Sequence, residues 1–124
     1  MVMGVSKVLK AAWPQTRVVV LEPASAPVLT QGRGGTHGVE GIGIGIVPPL
    51  LDPTRYDEAR AVCETQARAM SNRLANEEGI LGGTSTGLNV VAAIELAKEL
   101  GPGKTVVTVA CDTGLKYMSG SLYS

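Results

Sequence analysis

Two short, continuous apolar runs constrain the fold of this sequence most. Residues 17–23 read RVVVLEP and residues 105–111 read TVVTVAC, and each follows a turn signal that contains proline. Runs of this kind are typical of strands buried on both faces of a sheet. Helical patterns precede both runs, over residues 4–12 and from about residue 86 to residue 100. This order of elements predicts an α/β fold with a parallel sheet flanked by helices.

The middle of the chain is rich in residues that favour helices. Residues 59–78 contain many Ala, Arg, Glu and Met residues, and their intrinsic propensity predicts one long helix that Gly79 ends. The sequence therefore offers two clear strands, or at most three, which make a poor sheet of their own. This pattern favours a part of a domain over a complete domain.

Composition excludes several classes of function. The chain has 11 basic and 11 acidic residues and no basic stripe, so a nucleic-acid partner is not expected. A membrane partner is not expected either, because no apolar run approaches the roughly 20 residues that span a bilayer. Cys63 and Cys111 form no CxxC pair, and no secretory segment is recognised, which favours free thiols in a cytoplasmic protein. Because His37 is the only histidine, neither a metal site nor a Ser/His/Asp triad is expected.

A glycine-rich turn, GGTSTG at residues 82–87, leads directly into the last predicted helix. It lacks the lysine of a P-loop, so a nucleotide site is not favoured. One interpretation is that Thr84, Ser85 or Thr86 caps the helix. The other is that the flanking glycines let a ligand approach the backbone amides of the helix start. A second glycine-rich run, GIGIGI at residues 41–46, is followed by Pro48 and Pro49 rather than by a helix, so it does not match a dinucleotide fingerprint.

Four motifs in order resemble the cysteine synthases, which are pyridoxal-phosphate enzymes of fold type II. The segment EEGILGGTSTG is similar to the family pattern E-E-G-[IL]-x-x-G-x-S-[ST]-G. The segments VVVLEPASAPVL, HGVEGIGIGIVP and GLKYMSGS match three further family motifs, and together the four cover nearly the whole chain. The resemblance implies that residues 1–124 form a single partial domain, the C-terminal part of the catalytic region.

The resemblance also implies roles for individual residues. Ser85 occupies the position whose hydroxyl hydrogen-bonds the pyridine nitrogen of pyridoxal 5'-phosphate, with Gly83 beside it. A neutral hydroxyl leaves that nitrogen largely unprotonated and moderates the ring as an electron sink. Cys111 and Asp112 would lie next to the ring nitrogen. An alternative stays open for each residue. Cys111 could be only a small buried hydrophobic residue, and Asp112 could instead support Ser85 or cap the loop.

The loop that contains Gly41 and Ile42 would line the reactive face, where the amino-acid substrate binds. Its glycine would permit close approach of the backbone rather than perform catalysis. The alternative is a tight loop with no role in binding.

The family's Schiff-base lysine and its phosphate-binding G-T-G-G-T motif have no counterpart in this sequence. The lysines are Lys7, Lys10, Lys98, Lys104 and Lys116, and none stands in the context of a lysine nucleophile. No catalytic residue is therefore assigned, and we expect this chain not to catalyse on its own.

The complete enzyme would replace the β-substituent of an activated serine with sulfide, which gives cysteine. Related replacements or eliminations, such as cystathionine synthesis or serine deamination, are the alternatives at family level. For the chain itself the expectation is a fragment of such an enzyme. The alternatives are a non-catalytic remnant and an interaction module. The expected partner is a second copy in a homodimer, or a polypeptide that supplies the N-terminal half.

Overall fold

The computed structural model describes residues 1–123. Its helices and strands follow in the order α1 (Val2–Ala12), β1 (Val19–Pro23), α2 (Val28–Gln31), β2 (Glu58–Val62), α3 (Glu64–Glu78) and α4 (Thr84–Leu100). Two short 3-10 turns, Pro53–Arg55 and Gly114–Tyr117, precede β2 and follow α4. Among the described helices, none is both long and apolar enough to cross a membrane. This order confirms the predicted α/β class.

The sheet of the described residues consists of β1 and β2, which run parallel. Their register pairs Val19 with Glu58 at one end and Pro23 with Val62 at the other. The predicted strand at residues 17–23 is therefore confirmed over Val19–Pro23, and it alternates between half-buried and buried positions before a buried end.

The prediction of one long helix over residues 59–78 is wrong for its first residues, 59–63. Residues Glu58–Val62 form β2, and Cys63, in an extended conformation with φ −68° and ψ 129°, precedes α3. Helix propensity favoured Ala59 and Ala61, but pairing with β1 overrides it, since intrinsic preferences of this size are weaker than tertiary contacts. Arg60 of β2 stabilises the sheet at this strand because its guanidinium contacts the carboxylates of both Glu58 and Glu99.

The prediction of a buried strand at residues 105–111 is also wrong. The segment belongs to no strand among the described residues, and the side chain of Val107 is 85% exposed. A strand needs a neighbour that completes its backbone hydrogen bonds, and the described residues place none beside this run. The apolar pattern alone does not form a strand, because strand pairing depends on contacts that the local sequence does not determine.

The core lies where α3 crosses α4. Its buried residues are Val39, Val62, Ala67, Leu88, Val91 and Ala92. Gly87 occupies the closest point of the crossing, where a Cβ atom would stand 2.0 Å from the Ala67 carbonyl oxygen and 2.4 Å from Ser71 Oγ. Only a residue without a side chain allows the two helices to approach this closely.

We predict opposite effects for alanine at the two glycines inside helices. Gly87→Ala should lower the free energy of unfolding by about 1–3 kcal/mol, because the added methyl overpacks the α3–α4 contact. Gly4→Ala is the matched control, since nothing lies within 4 Å of its Cβ position in α1. That change should stabilise the chain by roughly 0.5–1 kcal/mol through helix propensity alone. Urea unfolding followed by circular dichroism measures both, and equal effects of the two changes would contradict the close crossing.

Candidate functional site at the start of α4

The GGTSTG turn places its hydroxyl residues inside α4 rather than before it. The residue that precedes the helix is Gly83, in an extended conformation with φ −76° and ψ 177°, and no side chain caps the helix start. Thr84 and Ser85 are thus the first two helical residues. The interpretation of Thr84, Ser85 or Thr86 as a cap is wrong.

The chain after residue 110 closes against this turn. The amide of Gly83 donates to the carbonyl oxygen of Asp112 at 3.2 Å, and the amide of Gly114 donates to that of Leu81 at 2.9 Å. The amide of Cys111 donates to Thr86 Oγ1 at 3.1 Å. These bonds bring three residues singled out in the sequence, Gly83, Cys111 and Asp112, to the start of α4, where Ser85 lies.

Asp112 presents one carboxylate oxygen to a tyrosine and leaves the other without a partner. The hydroxyl of Tyr117 donates to Asp112 Oδ2, and this bond, with burial, raises the pKa of Tyr117 to about 12. Asp112 Oδ1 is buried and has no hydrogen-bond partner among the described residues. It lies over Gly83, where a Cβ atom would be 2.5 Å away. Asp112 therefore accepts from the loop and from Tyr117, and the structure gives it no bond to Ser85.

Two hydroxyl residues, Thr84 and Ser85, begin α4. Thr84 Oγ1 is buried and lacks a hydrogen-bond partner within residues 1–123. The Ser85 side chain is half-buried. Buried polar atoms without partners cost about 1–3 kcal/mol each, so Thr84 Oγ1 and Asp112 Oδ1, on two segments joined at the start of α4, are candidate contacts for a ligand.

The glycines of the turn leave room for neighbouring side chains of this chain. The space beside Gly83 is filled by Asp112 and Tyr117, and the space beside Gly82 is filled by the side chain of Thr86. The absence of side chains at these glycines thus lets other parts of this chain approach. It does not by itself open the backbone to a ligand.

The loop with Gly41 and Ile42 reaches the same side of the core. Gly41 has φ +81°, a left-handed conformation that favours glycine, and it is exposed. Ile42 packs against the core that includes Leu88 of α4. The loop therefore contacts the same core as α4 through Ile42.

Further contacts fix the base of this loop. His37 Nε2 lies 2.8 Å from the carbonyl oxygen of Gly43, and the amide of Gly38 donates to Glu64 Oε2 at 2.7 Å. Arg68 bonds both Glu64 and the carbonyl oxygen of Gly38. The only histidine is thus occupied in shaping a loop, and the described residues contain no group of three His, Cys, Asp or Glu side chains that could hold a metal ion.

Cys111 is exposed, so its interpretation as a small buried hydrophobic residue is wrong. Its sulfur accepts a bond from Asn89 Nδ2 at 3.2 Å, which ties residue 111 to the second turn of α4. Both cysteines are free, as predicted.

Sequence reasoning missed two residues that shape the site. Tyr117 orients Asp112, and Thr86 accepts the amide of Cys111. Tyr117 belongs to the GLKYMSGS motif, so the sequence contained a signal for it. Similarity to a motif, however, does not show that the Tyr117 hydroxyl bonds the Asp112 carboxylate. From the sequence, Thr86 was interpreted only as a possible cap of the last helix.

Among the described residues, no lysine makes a hydrogen bond with residues 82–87. Lys10 bonds Asp57 at the far end of α1, Lys98 lies in the last turn of α4, and Lys116 is exposed within Gly114–Tyr117. Lys7 and Lys104 are exposed as well. The described residues thus bring hydroxyls and a carboxylate to the start of α4, and the hydrogen bonds found there involve no lysine.

Comparison with known proteins gives a consistent result. Residues 1–112 match the family described as pyridoxal-phosphate dependent enzyme. The cysteine synthase of Staphylococcus aureus strain Mu50 is 48% identical over 121 residues, which cover 98% of this chain and 39% of that protein. The chain therefore spans about two-fifths of the length of the curated relatives it matches.

Solved structures agree with the sequence match. The structure of O-ureido-L-serine synthase superposes with a TM-score of 0.93 at 37% identity, over 98% of this chain and 39% of that chain. The structure of O-acetyl serine sulfhydrylase isoform 3 from Entamoeba histolytica gives a TM-score of 0.93 at 33% identity, over 98% and 37%. On the match of residues 1–112 and these identities, the chain belongs to the family of pyridoxal-phosphate-dependent enzymes.

Proposed function

We propose that this chain forms the ring-nitrogen side of a pyridoxal 5'-phosphate site, with Ser85 as the residue that hydrogen-bonds the pyridine nitrogen. The observation that carries the proposal is the group of polar atoms at the start of α4. Within residues 1–123, Thr84 Oγ1 and Asp112 Oδ1 are both buried without hydrogen-bond partners, and the half-buried Ser85 follows Thr84 in α4.

The residues present fit this cofactor. A pyridine nitrogen that carries no proton accepts one hydrogen bond, and a serine hydroxyl donates one. When bound, pyridoxal phosphate supplies an electron sink that stabilises negative charge on the substrate carbon. The part of Ser85 is to hold the ring and leave its nitrogen unprotonated. Gly83 and Asp112 position the turn, because the Gly83 amide bonds the Asp112 carbonyl oxygen.

We further propose that the whole protein of which this fold is a part acts as a cysteine synthase. The relative from Staphylococcus aureus carries that name, and one structural neighbour is an O-acetyl serine sulfhydrylase. The reaction would replace the β-substituent of an activated serine with sulfide. The loop at Gly41 and Ile42 would line the side on which that amino acid binds, since it packs beside α4.

Within this proposal, residues 1–124 are a partial domain of the catalytic region. In this proposal, the lysine that holds the cofactor covalently comes from the portion of the fold that the chain does not match, since none of its own lysines stands in the context of a lysine nucleophile. The proposed partner is a second copy in a homodimer, or a polypeptide that supplies the N-terminal half. The proposed location is the cytoplasm.

Substitution of Ser85 tests the proposed cofactor contact. We expect the chain to bind pyridoxal phosphate weakly and saturably. Ser85→Ala should weaken binding by about 1 kcal/mol, roughly fivefold in Kd, since it removes one hydrogen bond. Ser119→Ala, at an exposed serine in the tail, is the matched control and should leave Kd unchanged. Difference absorbance of the cofactor measures both, and a Ser85→Ala variant that binds as well as the parent chain would refute the assignment.

The bond between Tyr117 and Asp112 should give the chain a dependence on alkaline pH. The pKa of Tyr117 is raised from 10.0 to about 12, so its contribution to stability is complete below pH 10 and is lost as the pH rises towards 12. Tyr117→Phe should abolish this loss and, at neutral pH, lower the free energy of unfolding by about 2 kcal/mol. Urea unfolding at several pH values measures both effects. A stability profile of Tyr117→Phe that matches the parent chain between pH 10 and pH 12 would show that the bond is not formed.

A further inference from the structure

The loop at residues 33–47 forms no backbone–backbone hydrogen bond of ordinary geometry among the described residues. Three of its glycines, Gly41, Gly43 and Gly45, have left-handed backbone conformations, with φ of +81°, +62° and +83°. Glycine loses more conformational freedom on ordering than any other residue, so a loop of this kind needs other contacts to keep one shape. Side chains have to supply those contacts.

His37 bonds the backbone of this loop at two points. Nε2 of the ring lies 2.8 Å from the carbonyl oxygen of Gly43, and the amide of Val39 donates to Nδ1 at 3.2 Å. Among the described residues, no other side chain hydrogen-bonds the backbone of residues 39–47. One imidazole therefore joins the two ends of the segment from Val39 to Gly43.

Both contacts require the same protonation state of the ring. A carbonyl oxygen only accepts, so Nε2 carries a proton, and an amide only donates, so Nδ1 carries none. The ring is therefore the neutral Nε2–H tautomer. A protonated imidazole has a second N–H at Nδ1, which cannot accept from the amide of Val39. The bond to Val39 exists only while His37 is neutral.

The two bonds connect the exposed part of the loop to the core. Val39 is 2% exposed and belongs to the core cluster, and Ile42 packs against the same cluster. A Cβ atom at Gly43 would stand 2.4 Å from Nε2 of the ring and 3.0 Å from Cδ of Pro23 at the end of β1. The half-buried ring of His37 thus lies close against the loop backbone beside β1.

We propose that His37 is a positioning residue whose neutral ring holds the loop at Gly41 and Ile42 in one shape, and that protonation of the ring releases this loop. The place of the loop on the side where an amino acid binds rests on the proposed function, but the contacts of the ring do not. An imidazole titrates between about pH 5 and pH 8. The loop should be ordered at the upper end of this range and should loosen as the pH falls through it.

Two charged side chains of α3, Glu64 and Arg68, bond the backbone next to His37. The pKa of Glu64 is lowered from 4.5, first by the bond from a loop amide and then by Arg68, so its carboxylate stays ionised between pH 5 and pH 8. Pro23, at the end of β1, brings no charge to the ring, and Glu40 on the loop itself is exposed. The groups on α3 thus keep a constant charge over the range in which an imidazole titrates.

Nuclear magnetic resonance of the full chain, without added cofactor, tests this proposal. Long-range correlation of the imidazole nitrogens reports the tautomer, and ¹⁵N relaxation reports the backbone order of residues 40–45 at pH 8 and at pH 5. We expect the Nε2–H tautomer at pH 8, and order parameters of the loop that fall from about 0.85 to below about 0.6 as the ring is protonated. The amides of Leu88 and Val91 in the core are the internal reference and should keep their order.

Two variants separate the titration of the ring from that of other groups. His37→Asn does not titrate, and its side-chain oxygen can accept from the amide two residues on, as in an Asx turn. Its loop should be more ordered than that of His37→Ala, which loses both bonds, and equally ordered at both pH values. His37→Ala should have a loose loop at pH 8 and at pH 5. Both variants retain Glu40 and Cys63, so a pH dependence that comes from either residue would persist in them.

Three outcomes would overturn the proposal. They are a loop of the parent chain that has the same order at pH 8 and pH 5, a neutral ring with its proton on Nδ1, and a His37→Asn variant that keeps the pH dependence of the parent chain. Because neither cofactor nor substrate is present, these outcomes are independent of Ser85. A pH-sensitive loop in a chain that does not bind pyridoxal phosphate would refute the proposed function and support the role of His37.

Discussion

The close crossing of α3 and α4 at Gly87 is the contact on which the rest of this structure depends. The Gly87 backbone lies against the Ala67 carbonyl oxygen and the Ser71 side chain, at a distance that excludes any Cβ atom. Ser71 Oγ lies 3.1 Å from the carbonyl oxygens of both Ala67 and Gly83, so one hydroxyl joins the crossing to the turn before α4. The position of Ser85, two residues after Gly83, is consequently fixed by helix packing. A change in the crossing would move the candidate site with it.

The elements that local sequence determines were predictable. The strand Val19–Pro23 follows from a continuous apolar run, and the end of α3 at Gly79 follows from a glycine in the left-handed conformation with φ +68°. The strand β2 was not predictable, because Ala59 and Ala61 favour a helix and adopt a strand only through pairing with β1. Residues 105–110 show the converse case. Their pattern is that of a strand, but strand structure needs a partner that local sequence cannot supply.

The site shows the same division between local pattern and distant contact. Similarity to the family motif identified Ser85 and Asp112, and the structure brings their segments together through the bond between Gly83 and Asp112. The contributions of Thr86 and Tyr117 depend on how residues 111–117 fold back onto the turn, which no local spacing encodes. The glycines also have a packing role that the local pattern did not show. At Gly82, Gly83 and Gly87 the missing side chain admits other parts of the same chain.

Amide hydrogen exchange of the isolated chain measures this account most directly, because it reports the stability of each segment separately. We predict that the amides of Leu88, Val91 and Ala92 in α4 exchange most slowly, since they lie in the buried core against α3. The amides of residues 105–110 should exchange at rates close to those of an unfolded peptide. Protection of residues 105–110 equal to that of α4 would contradict the account, because it would show that this segment already has a strand partner within the chain.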